Sequence, residues 1–302
     1  MDAAEIIRQN IAKDREKLDR LYARLPCYAE ELATELLGVG NHEASDEELE
    51  LSYHELKEKL SGVSDTATAL DTATIPSPLR DAENAILAAE TVKALAEKAT
   101  VYSFLPALDA QEGKCAYFRN AYSDEAFRIF KRYLTRPTVS YTDSPADACR
   151  DVFNELASFA ILPIESSKDG ILSGIARQVA RYELSPVLYC MVSQPGSEEA
   201  MRFGLYAASP VLIEDADGLS AILFTQNSDS LFPLILAADA LGCALAFSRE
   251  TGEAQGFANT YELTFRRKEG ALPNAVFLLS LLLRCEYPHH QLSGLYRTLH
   301  SQ

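Results

Sequence analysis

From Cys115 onward the chain changes period, and that change limits the possible folds more than any other feature. Short apolar runs at Ala116-Tyr117-Phe118, Thr138-Val139-Ser140-Tyr141, Ala160 to Pro163 and Val187 to Val192 alternate with amphipathic stretches at 123–133, 145–156 and 171–182. Apolar runs of that length bounded by turn residues predict strands, and the intervening 3.6-residue period predicts helices. Strand–helix alternation of this kind implies a mostly parallel sheet with helices on its faces. The segment from Phe159 to Ile171 is the most informative part. Its apolar run ends at Pro163, passes through Glu165-Ser166-Ser167-Lys168-Asp169-Gly170, and reopens as an amphipathic helix. A buried strand delivers polar groups to its carboxyl end in this way, the place where open α/β sheets bind ligands. Ser166 or Ser167 is expected to cap the helix that follows, and a free helix N-terminus attracts carboxylates.

The amino-terminal part has the helical period throughout. Ile7, Ile11, Leu18, Leu21 and Leu25 predict a helix over residues 2–37, kinked or divided by Pro26. Gly38-Val39-Gly40-Asn41 stops it, Ser45-Asp46-Glu47-Glu48 opens a second helix to about Leu60, and 61–77 is expected to be a loop. A third helix is expected from Leu79 to Lys98. After Asp215-Ala216-Asp217-Gly218 the order is strand, helix, strand, strand, helix, strand, which is ferredoxin-like. The expected domains are a helical region at 1–105, an α/β lobe at 113–212 and a ferredoxin-like domain at 218–302.

Charge excludes one class of function. A formal net charge of -16 provides no basic stripe to neutralise phosphates, so no nucleic-acid partner is expected. Any anionic ligand must be held by local cations. The cysteines (Cys27, Cys115, Cys149, Cys190, Cys243 and Cys285) are scattered without a C-x-x-C pair, as buried thiols of a reducing compartment are. The acidic start Met1-Asp2-Ala3-Ala4-Glu5 has no signal-peptide character. The longest apolar stretch, Ala271 to Leu283, is broken by Pro273-Asn274 and falls short of the roughly 20 residues of a membrane span. A soluble, cytoplasmic protein without a membrane partner is expected. His289-His290 is read as a solvated pair, and no metal or cofactor is expected.

Pro163-Ile164-Glu165-Ser166-Ser167 followed by Gly170 resembles the proline-isoleucine-glutamate-asparagine-serine-x-x-glycine signature of prephenate dehydratases, with Ser166 in the asparagine's place. Tyr117-Phe118 with Ala121-Tyr122-Ser123, then Thr142-Asp143-Ser144-Pro145 with Val152-Phe153, resembles that family's first strand and second helix. Met201-Arg202-Phe203-Gly204-Leu205 resembles its threonine-arginine-phenylalanine motif. The family's essential hydroxyl belongs to that threonine, and the thioether of Met201 can neither donate a proton nor be one. The glycines of the family's first turn are replaced here by Arg119-Asn120. The resemblance implies a periplasmic-binding-protein-like dehydratase fold whose second lobe is inserted in the first. Residues 116–203 hold the whole region, and each βαβ unit takes roughly 30 residues, so one lobe fits and two do not. Where the second would enter, Ser193-Gln194-Pro195-Gly196-Ser197 has the pattern of a type II turn.

The resemblance also implies that the carboxyl-terminal domain is an ACT domain, an amino-acid-sensing module that dimerises. Its effector segments correspond to Asn227-Ser228-Asp229-Ser230-Leu231 and to Ser248-Arg249. Some relatives carry an all-helical chorismate mutase at the amino terminus. Arg8, Arg15, Arg24 and Arg80 are available for that chemistry, although structural packing or dimerisation is the preferred reading.

Two functions follow from the resemblance. One is an enzyme of the phenylalanine branch, a carbon–oxygen lyase converting prephenate to phenylpyruvate, with Glu165, Ser166, Ser167, Arg202 and Phe203 around the substrate. The other is a non-catalytic sensor of an aromatic amino acid, or a regulatory partner acting allosterically through the ACT-like domain. Arg202 is the best carboxylate clamp, because its planar fork holds an anion at two points. An ion pair with Glu198 or Glu199 is its competing role. A homodimer is expected in either case, with an aromatic acid or amino acid as ligand.

Overall fold

The computed structural model describes residues 23–36, 46–68, 77–98, 105–110, 112–196, 198–213, 215–226, 231–252, 254 and 256–299. The part of the first expected helix before residue 23 lies outside them. In chain order the elements are α1 (23–36), α2 (Asp46–Thr68), α3 (Ser77–Lys98), β1 (Glu112–Phe118), α4 (Ala121–Phe130), β2 (Thr135–Thr142), α5 (Pro145–Phe153), β3 (Phe159–Ser166) and β4 (Gly170–Ile171). There follow α6 (Ser173–Arg181), β5 (Ser185–Ser193), β6 (Ala200–Ala207), β7 (Gly218–Thr225), α7 (Leu231–Ala240), β8 (Cys243–Glu250), β9 (Asn259–Arg267), α8 (Ala275–Glu286) and β10 (His290–Leu299).

The chain forms two compact units. The first comprises residues 1–103, 227–241 and 281–288. Its helices bury stripes at helical spacing: Leu25, Ala29 and Ala33 on α1, and Leu49, Tyr53, Leu56 and Leu60 on α2. Helix α2 continues to Thr68, past the Leu60 end that composition suggested. Ser61 tolerates this by bonding back to the Glu58 carbonyl (2.8 Å), so its hydroxyl does not divert the backbone. Glu286 gathers the Tyr53 hydroxyl (2.6 Å) and the Lys57 ammonium. Lys93 donates to the Ala240 carbonyl at the end of α7 (3.1 Å), where a cation complements the helix dipole.

The second unit comprises residues 104–226, 242–280 and 289–302. Its strands form one sheet in the order β2-β1-β3-β6-β5-β10-β7-β9-β8, with β4 hairpinned onto β3. Strands β2, β1 and β3 are parallel, as the alternation predicts. Strand β6 departs from it: it runs antiparallel between β3 and β5, returning from β5 through the Pro195-Gly196 turn. Gly196 has φ +79°, as the third position of a type II turn requires. Six residues, 194–199, therefore join β5 to β6, and no second lobe intervenes there.

Both faces of this part of the sheet are covered. Helix α5 (Ala148, Cys149, Val152) and α6 (Ile175, Val179) pack over Ala116, Ala160, Leu162 and Tyr206. Helix α4 packs on the other face, where Phe127 meets the Tyr117 ring at 5.8 Å. A strand covered on both sides reads as a continuous apolar run, and Phe159–Leu162 is one.

The remaining strands, β10-β7-β9-β8, pair antiparallel throughout. With the chain order β7-α7-β8-β9-α8-β10 this is the ferredoxin-like arrangement. The fold is thus mixed α/β and α+β. The two halves of the sheet meet where β10 runs parallel to β5, with Thr298 opposite Tyr189. No helix among the described residues is long and apolar enough to cross a membrane.

Candidate functional site

The motif at 163–170 forms a hairpin and not a helix cap. Strand β3 continues through Ser166, and the chain turns at Ser167-Lys168-Asp169 and re-pairs at Gly170, whose φ of +70° suits glycine. The Ser166 hydroxyl donates to Glu199 Oε1 (2.7 Å) and accepts from the N–H groups of Lys168 (3.1 Å) and Asp169 (3.4 Å). Ser167 ties the turn to β6, accepting from the Ala200 N–H at 3.0 Å. Leu172 stands at the N-cap of α6 without a side-chain bond, so the expected serine cap does not form. Strand pairing reaches these serines first because β6 lies beside them. After β1 the N-cap of α4 is Asn120, whose side chain accepts from the Ser123 N–H while the Ser123 hydroxyl accepts from the Asn120 N–H, a capping box.

Glu165 and Arg202 are direct cross-strand partners on β3 and β6. The competing reading of Arg202, an ion pair with Glu198 or Glu199, is replaced by this one: Arg202 Nη1 lies 3.8 Å from Glu165 Oε2. That distance is an ion pair and too long for a hydrogen bond. The guanidinium is only 23% exposed, stacked over the Tyr189 ring at 4.5 Å, and has no hydrogen bond among the described residues. Period-two alternation along β6 puts Arg202, Gly204 and Tyr206 on this face. Phe203 points to the other face and is buried.

Gly204 creates the floor. A Cβ there would lie 2.5 Å from the Tyr206 ring and 2.9 Å from the Tyr189 ring, so only glycine lets both rings approach β6 this closely. Tyr296 continues the aromatic row at 4.9 Å from Tyr189, over Gly218. The Tyr189 and Tyr206 hydroxyls stand 3.5 Å apart. Burial pushes Tyr189 up from 10.0 to about 12 and Tyr206 well above its usual value, so both hydroxyls keep their protons.

Glu165, Arg202 and the two tyrosines line a cavity of about 840 Å³, within the roughly 300–1,000 Å³ range of small-molecule sites. One wall is the α/β half, with Phe153 of α5 and Ile171 of β4. The other is the ferredoxin-like sheet, with Ser220, Phe247, Arg249, Glu262 and Thr264. With one α/β lobe and no second, the opposite wall comes from the carboxyl-terminal strands. Phe153 (59%), Ile171 (74%) and Phe247 (51%) are exposed large hydrophobics gathered around this one groove.

Of the expected effector residues, Ser248 and Arg249 lie on the edge strand β8 and are exposed, and Arg249 pairs with Glu262 at 2.5 Å. Leu231 opens α7, and Asn227, Ser228, Asp229 and Ser230 lie outside the described residues. Tyr189 and Tyr206 were not singled out from sequence, and Phe153 and Phe247 entered only as members of longer motifs. The spacing Arg202-x-Gly204-x-Tyr206 was the available signal. No group of three or more metal-ligating side chains occurs among the described residues. The thiols of Cys115, Cys190, Cys243 and Cys285 are pushed up to about 12 by burial, which removes them as nucleophiles.

No family model matches the sequence, and no curated protein does. Among solved structures the chain is similar to prephenate dehydratase from Streptococcus mutans, at 18% identity and TM-score 0.42, over 61% of this chain and 98% of that one. It is similar to a structure described as a novel type of quorum quenching acylase, at 17% identity and TM-score 0.40, over 62% and 96%. Prephenate dehydratase from Arthrobacter aurescens in complex with L-Phe follows at 12% identity and TM-score 0.42, over 61% and 90%. Likeness at this level is too loose to assign an activity or a ligand.

Proposed function

We propose that the chain binds a small aromatic carboxylic or amino acid in the groove between Arg202 and the ferredoxin-like sheet. In this reading it is a non-catalytic sensor or regulatory partner in the phenylalanine branch of aromatic amino-acid biosynthesis. The observation that carries the proposal is Arg202 itself: a guanidinium three-quarters buried on a tyrosine face, with no hydrogen bond from it among the described residues. Such a group holds a carboxylate at two points and discriminates it from other anions by shape. The exposed Phe153, Ile171 and Phe247 give an aromatic body something to cover.

At the position of the family's threonine this chain has no proton donor. Dehydration of prephenate needs an acid for the leaving hydroxyl. Met201 offers none, and Tyr189 and Tyr206 hold their protons too tightly to release them near neutral pH. Pure protein assayed for phenylpyruvate formation from prephenate is expected to show no turnover while binding an aromatic acid by calorimetry. Turnover at ordinary enzyme rates restores the dehydratase reading, in which Arg202 and Glu165 hold the substrate. Absence of binding by any aromatic acid removes the sensor.

A further inference from the structure

We infer that the groove selects a zwitterion: it takes an α-amino acid in preference to a simple carboxylate. The inference rests on the reading above, that Arg202 receives the ligand's carboxylate, and concerns what lies beside it. Glu165 is the register partner of Arg202, its side chain is 46% exposed, and its ion pair with Arg202 is 3.8 Å long. A loose pair of this kind presents a cation and an anion next to each other, with hydrogen-bonding capacity left on both. An α-amino acid carries the complementary arrangement, carboxylate and ammonium on one carbon. Its carboxylate satisfies the Arg202 fork while its ammonium donates to Glu165.

Two further features favour this ligand over its neutralised relatives. The Tyr189 and Tyr206 hydroxyls stand 3.5 Å apart and keep their protons, so the aromatic floor beside Arg202 adds no second anion to the site. On the opposite wall Arg249 and Glu262 are closed on each other at 2.5 Å and do not compete for either end of the ligand. A 2-oxo acid would set its carbonyl oxygen against Glu165, leaving that carboxylate facing a second acceptor. An amine without a carboxylate would face Arg202. The chain's net charge of -16 acts in the same direction, since it repels a monoanion and leaves a zwitterion unaffected at long range.

Calorimetry on the full chain tests this with four probes: L-phenylalanine, phenylpyruvate, 2-phenylethylamine and L-leucine. L-phenylalanine is expected to bind at least tenfold tighter than phenylpyruvate and 2-phenylethylamine. Glu165→Gln is expected to erase the preference over phenylpyruvate, and Arg202→Gln to abolish binding of both acids. Arg128→Ala, on helix α4 across the sheet from the groove, is expected to leave all affinities within twofold. Phenylpyruvate binding as tightly as L-phenylalanine, with both lost in Arg202→Gln, overturns the zwitterion inference and leaves the carboxylate reading standing. L-leucine matching L-phenylalanine, with the Glu165 dependence intact, supports the zwitterion inference and removes the aromatic one. Binding indifferent to both Arg202 and Glu165, or no binding, overturns both. Circular dichroism of each variant confirms the fold, and Glu165, at 46% exposure, is a site where Gln is accommodated.

Discussion

The groove contains two arginine–glutamate pairs of the same composition and the same cross-strand register, in opposite states. Glu165 faces Arg202 across β3 and β6, and Arg249 faces Glu262 across β8 and β9. On the edge strand β8, Arg249 is 60% exposed and closes on its partner at 2.5 Å. On the central strand β6, Arg202 is 23% exposed and stands off at 3.8 Å, with its guanidinium over the Tyr189 ring. The difference teaches that an ion pair is set by what backs it. Solvent on both sides lets the charges satisfy each other, whereas an aromatic floor holds the cation and leaves its donors for something else.

If the floor sets the state of the Arg202 pair, removing the floor has the largest effect. Gly204→Val places branched carbons where a single Cβ already lies 2.5 Å and 2.9 Å from two tyrosine rings. Overpacking at that closeness is expected to cost about 3 kcal/mol of stability, measured by urea denaturation. The matching substitution on the edge strand β8, Ser248→Val, faces solvent and is expected to stay within about 0.5 kcal/mol. Equal effects from the two would break the comparison.

Alkaline pH acts on the same floor. Tyr189 is held at about 12 in the folded chain, against 10.0 ordinarily. Above pH 10 the unfolded chain loses that proton and the folded chain keeps it, so the folded state binds more protons and stability falls as pH rises. Below pH 10 this contribution is fully present. Tyr189→Phe is expected to flatten the decline between pH 10 and pH 12 by about 2 kcal/mol relative to the parent. Burial also raises Tyr53, Tyr117, Tyr206 and Tyr287, so the readout is the difference between the two curves. Tyr261→Phe, on β9, serves as the control for a generic tyrosine loss. A parent and a Tyr189→Phe variant with parallel curves would show that the Tyr189 hydroxyl is not buried under the guanidinium as the floor requires.

Much of this arrangement was legible before the structure. The strand–helix alternation, the ferredoxin-like order and the Pro195-Gly196 turn are local signals of period and turn chemistry, and the structure keeps each of them. Arg202 and Glu165 were legible as a possible anion site because short motifs mark strand ends. The role of Ser166 and Ser167 was not: helix capping and hairpin turning use the same serine–glycine vocabulary, and only the presence of β6 alongside decides between them. The second wall was hidden for a different reason. Phe247 and Glu262 lie far along the chain from Arg202, and it is the β5–β10 pairing that brings their sheet beside it. No local pattern encodes that pairing. Gly204 was in view as a motif residue, but its function depends on Tyr189, which β5 supplies from across the ladder.

Truncating Arg202 itself is the next smaller perturbation. Arg202→Ala removes the stacked guanidinium and is expected to cost about 1 kcal/mol, the size of a partly desolvated cation–π contact. Since the 3.8 Å ion pair is loose, little of that loss is expected to depend on salt. Arg202→Lys is expected to recover little of it, because a compact ammonium lacks the planar face that lies on Tyr189. Full recovery by lysine would mean that charge, and not stacking, holds the residue in place.

The smallest effect belongs to the pair that looks best on distance. Arg249 and Glu262 make a short contact, but at 60% and 38% exposure both ions keep most of their water, so forming the pair exchanges one set of favourable interactions for another. Ordering two long side chains at a sheet edge also costs rotamer freedom. Arg249→Ala is therefore expected to change stability by a few tenths of a kcal/mol, and 1 M salt is expected to shrink even that, because the Debye length there is about 3 Å. Measured beside Arg202→Ala, the variant sharpens the contrast: the closed pair is the weaker contributor and the salt-sensitive one, and the open pair the stronger and salt-insensitive one. If Arg249→Ala instead costs more than Arg202→Ala at low salt, then proximity of charge, and not the aromatic floor, decides which wall of the groove is held.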